Sequence, residues 1–361
     1  MNERFGLLQR LAITQPIIQA PMAGIATPAL AAAVCEAGGL GSLGLAGTSP
    51  NAAWEIVRDL TTRTARSFAL NLFCAPSPTR DTARESAWIE RLTPHFPQFG
   101  SVPPVWLEPA FRPSPIDEEM LKLLLEVSPR AVSFHLGLPA RDVIATLKWA
   151  GIVVMATATS VERALEAEAA GADAVVAQGI AAGGHRGLFS ATDEDEQLVT
   201  RELVEQLVPR LAIPVIAAGG IMDGADLAAM LRIGAAAGQL GTAFLGCPEA
   251  QLPPGYRAAL FDEQSTTEIT RGLSGWPARA ISNRLTAIGR GVPARQVPAF
   301  PLPLTLSRAL AAAAAEAGES GYGIFWAGAE LRRLRALPAS ELMQALVKEL
   351  EADRSAATIN A

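Results

Sequence analysis

Lysine is scarce in this chain of 361 residues, and its scarcity argues against one kind of chemistry. The three lysines are Lys122, Lys148 and Lys348. An aldolase or a pyridoxal phosphate enzyme needs a lysine amine placed at the reacting carbon. None of the three lysines follows a strand-like run, so the sequence disfavours Schiff-base catalysis.

The chain contains only three histidines and three cysteines: His95, His135, His185, Cys35, Cys74 and Cys247. No His-x-His or His-Glu-x-x-His pattern occurs, so the sequence predicts no metal site. The cysteines are odd in number, lie far apart and form no Cys-x-x-Cys pair, which argues against a disulfide framework and a zinc ribbon. We therefore expect a protein of the reducing cytoplasm.

Clusters of basic residues are missing as well. The chain has 36 acidic and 30 basic residues and a net charge of −6. A nucleic-acid-binding surface needs a basic patch, so we expect no nucleic-acid partner.

One long run lacks charge altogether. Residues 11–35 carry no charged side chain and are numerous enough to cross a bilayer. Pro16, Pro21 and Pro28 interrupt the run, and a continuous helix does not survive three such breaks. Glu3 and the early Pro16 also differ from the pattern of a secretory signal. We expect no membrane partner.

Eight short apolar or β-branched runs recur along the chain. They lie at residues 17–20, 40–44, 67–72, 131–136, 152–157, 174–178, 214–218 and 236–241. The runs lack polar alternation, as strands covered on both faces do, and helix-like segments separate most of them. Alternating strands and helices predict parallel βα units, and eight units predict a closed (β/α)8 TIM barrel of the α/β class.

The spacing of the runs also predicts the domain organisation. A proline-rich insertion over about 74–116 and a long connection over 178–214 both follow the C-terminal end of a strand, where barrel enzymes carry functional loops. After residue 246 the pattern changes, and helices are predicted over 304–317 and 339–350. We expect a barrel over 1–246 and an additional C-terminal helical subdomain over 247–361. This subdomain would cover the barrel mouth, with its last helix in reach of the barrel wall.

Residues 39–44 read Gly-Leu-Gly-Ser-Leu-Gly and match the Gly-x-Gly-x-x-Gly dinucleotide fingerprint. That fingerprint binds a pyrophosphate only when it follows a strand and opens a helix. Here the glycines end a helix and lead into a strand, so we reject the dinucleotide-binding interpretation.

Two later glycine-bearing strand ends predict a phosphate site. Ala218, Gly219 and Gly220 end the seventh run, and Asp223 begins the helix that follows. Residues 239–242, Gln-Leu-Gly-Thr, end the eighth run. Glycine leaves main-chain N–H groups open to an anion, a helix N-terminus adds positive potential, and barrels commonly bind phosphate after strands seven and eight. The alternative is a pair of tight turns that need glycine for geometry alone.

A histidine stands in a glycine-rich loop after the sixth run. Residues 178–187 read Gln-Gly-Ile-Ala-Ala-Gly-Gly-His-Arg-Gly, and this setting suits His185 for acid–base work. His135 ends the fourth run and would face the same cavity, whereas His95 lies in the proline-rich insertion. A purely structural role for a lone histidine is the alternative.

Five segments together resemble the motif set of the nitronate monooxygenases, formerly called 2-nitropropane dioxygenases, of a class I-like type. They are residues 19–28 with their Gln-Ala-Pro-Met-Ala-Gly start, Ser-Phe-His-Leu-Gly at 133–137, Gly-Gly-His-Arg-Gly at 183–187, Ala-Ala-Gly-Gly-Ile at 217–221 and Gln-Leu-Gly-Thr at 239–242. The resemblance extends to residues 247–249 and 269–271. Each motif is common alone, but the set in this order is specific.

The resemblance implies an FMN cofactor, with its phosphate between strands seven and eight and His185 as the catalytic residue. His135 would assist substrate binding. The implied cofactor-binding residues are Pro21, Met22, Ala23, Asn71, Gln178, Gly183, Gly184, Ala218, Gly219, Gly220, Gln239, Leu240, Gly241 and Thr242. Met22 has a plain alternative as a core residue. The chain departs from the family at Ala181, where members often carry Glu, and this departure puts the hydrogen bonding of the loop in doubt.

The resemblance further implies oxidative denitrification of an alkyl nitronate, such as propionate 3-nitronate, with O2, giving a carbonyl compound and nitrite. The partners would be these small molecules, and the chain would be a monomer or a homodimer. One alternative is an FMN-dependent NAD(P)H reductase of an enoyl thioester or a quinone. A flavin-binding barrel without turnover is the other.

Overall fold

Eight parallel strands close into a barrel in the computed structural model, which describes residues 3–111 and 116–359. The strands are β1 (Ile17–Gln19), β2 (Gly41–Gly44), β3 (Phe68–Phe73), β4 (Ala131–His135), β5 (Val153–Ala158), β6 (Ala174–Gln178), β8 (Val215–Ala218) and β9 (Ala237–Leu240). They pair in the order β1-β9-β8-β6-β5-β4-β3-β2, and a parallel bridge between Ile18 and Leu40 joins the two ends. All eight predicted strands and the predicted TIM barrel are confirmed.

A second, antiparallel sheet lies beside the barrel. It consists of β7 (Gly184–His185), β10 (Thr267–Thr270) and β11 (Ala278–Ile281), with β11 in the middle. Because β7 belongs to the loop after β6, this sheet links that loop to the C-terminal part of the chain.

Helices surround the barrel and continue beyond it. They are α1 (Glu3–Leu11), α2 (Pro28–Glu36), α3 (Pro50–Arg63), α4 (Thr82–Leu92), α5 (Glu118–Val127), α6 (Arg141–Trp149), α7 (Val161–Ala170), α8 (Thr200–Leu207), α9 (Gly224–Arg232), α10 (Thr242–Leu245), α11 (Pro254–Phe261), α12 (Arg284–Ile288), α13 (Leu302–Glu316) and α14 (Ala339–Ile359). Ser49 and Asp223 accept main-chain N–H bonds as the N-caps of α3 and α9, as expected from their side chains.

Gly41 shows what the rejected dinucleotide fingerprint does instead. A Cβ atom at this position would lie 2.1 Å from the carbonyl oxygen of Ala31 in α2. The glycine therefore allows α2 to pack closely against β2, and the segment follows a helix and enters a strand as predicted. The uncharged run over 11–35 forms β1, α2 and the loop between them. Within the described residues, no helix is both long and apolar enough to span a bilayer.

The last helix occupies the position of an eighth outer helix. Leu342, Met343 and Leu346 of α14 share one hydrophobic cluster with Val34 of α2 and Leu227 of α9. The helix that follows the eighth barrel strand directly, α10, has only four residues. The chain thus leaves the barrel after β9 and returns to its wall with α14. The division into domains at residue 246 stays a prediction.

The proline-rich insertion and the C-terminal segment share a hydrophobic core. Trp88 and Leu92 of α4 lie in one cluster with Leu306 and Leu310 of α13. The Thr305 hydroxyl also donates to the carbonyl oxygen of Glu108, at 2.6 Å. These two segments form a single cap, which the sequence did not reveal because their apolar residues are about 200 positions apart.

Candidate active site

A cavity of about 490 Å³ lies where the C-terminal ends of the barrel strands meet the cap. The cavity brings together the predicted site residues of six strand ends. Its walls include Pro21, Met22, Ala23, Asn71, His135, Gln178, Gly183, Gly184, His185, Ala218, Gly219, Gly220, Gln239, Gly241 and Thr242. The volume falls within the usual range for sites that bind small molecules or cofactors.

Leu240 is the predicted site residue that does not line the cavity. Its side chain is buried in the cluster between the barrel and the outer helices, together with Leu227 and Leu231. Successive side chains of a strand point to opposite faces, so Gln239 and Leu240 cannot both face the cavity. A role of Leu240 in cofactor binding stays a prediction and would fall to its main chain.

His185 lies at the centre of the cavity wall. It is the last residue of β7, where it pairs with Ala278 of β11. Its Nε2 atom lies 3.0 Å from the Ser274 hydroxyl oxygen. The rings of Phe73, Phe300 and Trp326 pack around the imidazole with centroid distances of 5.7, 5.3 and 5.0 Å. The orientation of the imidazole is therefore fixed on several sides.

His135 reaches the same cavity from the end of β4. Its Nε2 atom donates a hydrogen bond of 3.0 Å to the main-chain oxygen of His185. Because a carbonyl oxygen can only accept, His135 carries its proton on Nε2. His135 thus supports the main chain of the loop that holds His185. His95 lies outside this cavity and contacts the Tyr322 hydroxyl through Nδ1, at 3.3 Å.

Both cavity histidines are neutral at neutral pH. Burial lowers the pKa of His185 to about 3, and the neighbouring His135 adds to the effect. Burial also lowers the pKa of His135 to about 4, although its hydrogen bond to His185 acts in the opposite direction. A low-dielectric setting disfavours the charged imidazolium, so each ring keeps one nitrogen lone pair.

The glycine-rich loop before His185 is held by a buried guanidinium. Arg186 is fully buried, and its Nε and Nη2 atoms donate to the carboxylate of Asp195 at 2.7 and 3.0 Å. Its Nη1 atom donates to the main-chain oxygen of Gly179 at 2.8 Å. The side chain of Gln178 accepts from Gly187 N at 2.7 Å and donates to the His185 oxygen at 3.0 Å. Gln178 therefore lines the cavity but positions the loop with its polar atoms.

Close main-chain packing shapes the glycine-rich segments of the cavity wall. Gly219 and Gly220 have φ values of +110° and +74°, which favour glycine. A Cβ atom on Gly219 would lie 2.9 Å from Ala182 N, and one on Gly183 would lie 2.6 Å from Gly328 N. The loops thus approach each other at a distance that only glycine allows, and the glycine-rich segments line the cavity.

The N-terminus of α9 offers fewer free N–H groups to an anion than the sequence suggested. Its main-chain N–H groups donate to carboxylates of the protein itself: Asp226 N to Asp223, Met222 N to Asp226 and Gly224 N to Glu349. The expected role of this helix as an anion-binding end is wrong for these three groups, because the chain satisfies and neutralises them itself. The glycine loops before the helix are what remain for an anion.

Four aromatic residues of the cavity were missed at the sequence level. Phe73, Phe111, Tyr256 and Trp326 line the cavity, and three of them come from the insertion or the C-terminal segment. Isolated aromatic residues in loops carry no sequence signal for a site. The sequence signal that exists is indirect, since Phe73 directly follows the third predicted strand, and it is the last residue of β3 in the structure.

The cap also supplies a cation and a hydroxyl that the sequence analysis did not identify. Arg308 lines the cavity from α13, and within the described residues it forms no ion pair. Ser274 is fully buried and contacts His185. Both come from the segment after residue 246.

Ala181 fits tightly into the loop packing. Its carbonyl oxygen accepts a hydrogen bond of 3.0 Å from Ala329 N, and a Cβ atom on Gly220 would lie 3.3 Å from its side chain. The loop therefore obtains its hydrogen bonding here through the main chain, without a side-chain carboxylate.

The chain is similar to several known proteins over nearly its whole length. The family model for nitronate monooxygenase matches residues 6–349. A nitronate monooxygenase of Paraburkholderia phytofirmans is 47% identical over 96% of this chain and 94% of its own length. A nitronate monooxygenase of Pseudomonas aeruginosa is 45% identical over 97% of this chain and 99% of its own length. A solved nitroalkane oxidase of Streptomyces ansochromogenes is 37% identical and covers 97% of this chain and 99% of its own, with a TM-score of 0.88. FabK of Thermotoga maritima is 26% identical and covers 99% of both chains, with a TM-score of 0.75.

Proposed function

The chain belongs to the nitronate monooxygenase family, a family of flavin-dependent oxidoreductases, and from this premise we propose that it uses FMN and O2 to denitrify small anionic nitronates. The products would be a carbonyl compound and nitrite. The observation that carries the proposal is one cavity at the strand ends that is lined both by the glycine-rich loops after β6, β8 and β9 and by His185.

The residues present fit FMN. Gly183, Gly219, Gly220, Gln239 and Thr242 line the cavity and would hold the phosphate. Pro21, Met22 and Ala23 would lie along the ring, with Asn71 beside it. When bound, FMN would supply the redox chemistry between nitronate and O2, and the protein would supply binding, orientation and charge.

His185 would handle the proton. Because it is neutral, His185 can accept the α-proton of a neutral nitroalkane. When an anionic nitronate binds instead, the negative charge raises the affinity of the imidazole for a proton, and the imidazolium then stabilises the nitro group. Water is kept away by Phe73, Phe300 and Trp326, which surround the ring.

Arg308 supports an anionic substrate. It lines the cavity from α13, and the apolar Leu304, one turn earlier in the same helix, lines it as well. A short nitronate with a carboxylate at its other end, such as propionate 3-nitronate, suits this arrangement.

An FMN-dependent NAD(P)H reductase is the second candidate, and the similarity to FabK of Thermotoga maritima favours it. The two candidates differ in the molecule that would reduce the flavin, which is the nitronate in the first and NAD(P)H in the second. The function is tested by the visible spectrum of the purified protein, identification of the released flavin, and a nitrite assay with propionate 3-nitronate in air. A flavin spectrum and nitrite release dependent on His185 are expected. Absence of flavin together with failure to bind added FMN would refute every flavin-dependent function.

A further inference from the structure

The loop between β10 and β11 places a hydroxyl against the imidazole of His185. Ser274 Oγ lies 3.0 Å from His185 Nε2, and Ser274 is fully buried. The same oxygen lies 3.3 Å from Trp276 O and 3.4 Å from Trp276 N. The hydroxyl therefore has three polar neighbours and a single hydrogen to give.

The donors and acceptors around the Ser274 hydroxyl decide which nitrogen of His185 carries the proton. Trp276 O can only accept, and Trp276 N–H can only donate. If the Ser274 hydroxyl donates to Trp276 O, its oxygen accepts from both Trp276 N–H and His185 Nε2–H, and every group is satisfied. If it donates to His185 Nε2 instead, Trp276 O loses its donor, and within the described residues no other donor replaces it. A buried carbonyl without a partner is unfavourable, so the first arrangement prevails.

The main chain around Ser274 is rigid enough to enforce this choice. Trp276 is buried, and its Nε1 atom donates to the oxygen of Arg186 at 2.9 Å. Arg186 N donates in return to Pro277 O at 2.8 Å. A Cβ atom on Gly275 would lie 2.6 Å from Pro298 O, so the turn cannot relax outwards. The serine is thus fastened to the residue that follows His185.

We propose that Ser274 is a positioning residue that holds His185 in the Nε2–H tautomer and so presents Nδ1 as the proton-accepting nitrogen. This inference rests on the proposed catalytic role of His185. Within the described residues no protein group bonds to His185 Nδ1, so this nitrogen remains for the substrate. Ser274 itself touches the imidazole and, unlike His185, is not among the residues that line the cavity.

The tautomer is measurable because the chain has only three histidines. We would label the FMN-loaded protein with ¹⁵N-histidine and record long-range ¹H–¹⁵N correlations, assigning His185 with the variant His185→Asn. We expect His185 and His135 both to be protonated on Nε2. In Ser274→Ala, His185 should become a mixture of tautomers, while His135, which donates to a main-chain oxygen, stays unchanged as an internal control.

The wild-type spectrum alone can overturn the inference, since a His185 protonated on Nδ1 contradicts it. An unchanged His185 pattern in Ser274→Ala would contradict it as well. Activity gives a second readout: kcat/KM for propionate 3-nitronate should fall by about 10-fold in Ser274→Ala with FMN content unchanged, and Ser274→Thr should recover most of the loss. Failure of the wild-type protein to release nitrite would refute the proposed function but leave the tautomer measurement valid.

Discussion

Replacing Arg186 by methionine is expected to destabilise the protein strongly, because this guanidinium is the buried anchor of the catalytic loop. Arg186 is completely buried, whereas the Asp195 side chain with which it pairs is 13% exposed. The substitution fills a similar volume but removes two bonds to the carboxylate and those to Gln178 and Gly179.

The size of the stability loss follows from the Asp195 carboxylate, which remains in place after the substitution. Burial raises the pKa of Asp195, but the hydrogen bonds and charge of Arg186 more than offset this and hold the pKa below its ordinary value. Without Arg186 a largely buried carboxylate stays unpaired, and breaking one partner of a buried pair costs about 3–5 kcal/mol. That is a large share of the roughly 5–15 kcal/mol that stabilises a typical domain.

The assay is urea unfolding followed by tryptophan fluorescence, and the matched control is the ion pair of Arg163 with Asp193, two residues before Asp195. The Arg163 side chain is 26% exposed and lies 2.8 Å from Asp193. Asp193 is as buried as Asp195, but without Arg163 it would keep the N–H groups of Phe189 and Ser190 as donors. Such partly exposed pairs contribute at most about 1 kcal/mol, so Arg163→Met should change the free energy of unfolding little. A loss below about 1 kcal/mol in Arg186→Met, or an equal loss in both variants, would refute the reasoning.

Three further predictions concern pH, cofactor and substrate. The depressed pKa values of His185 and His135 mean that the folded state resists protonation of both imidazoles. Their contribution to stability is therefore complete above about pH 6.5 and is lost as the pH falls towards 4. We expect His135→Phe to flatten the pH dependence of the unfolding midpoint. Gly220→Ala should weaken FMN binding by at least about 10-fold in a fluorescence titration, whereas Gly100→Ala, equally strained at φ +64° but with open space around it, should not. Arg308→Met should lower kcat/KM for propionate 3-nitronate by about 10-fold and leave that for ethylnitronate within about 2-fold, and an equal effect on both would contradict a role in binding the carboxylate.

The sequence was sufficient for the barrel and for the residues at the ends of its strands. Strands buried on both faces are continuous apolar runs, and the glycines after β6 and β8 mark close main-chain approaches, so both features are visible in the chain itself. The period of a strand also separates Gln239 from Leu240, and it indicates that of these two side chains only Gln239 faces the cavity.

The remaining parts of the site depend on contacts between distant segments. Arg308 reaches the cavity, and Phe300 and Ser274 reach His185, because the C-terminal segment folds back over the barrel, and no local pattern records that return. The prediction of anion binding at the N-terminus of α9 rested on its position after a glycine loop, and it missed contacts from distant residues. Glu349, 125 positions later, occupies one of its N–H groups.

The most direct test of the central claim is anaerobic mixing of the FMN-loaded protein with propionate 3-nitronate in one experiment and with NADH or NADPH in another, followed by flavin absorbance. The account predicts rapid flavin reduction by the nitronate, much slower reduction by either nicotinamide, and loss of the nitronate reaction in His185→Asn that still binds FMN. Rapid reduction by NADH or NADPH with no response to the nitronate would contradict it and assign the chain to the reductases.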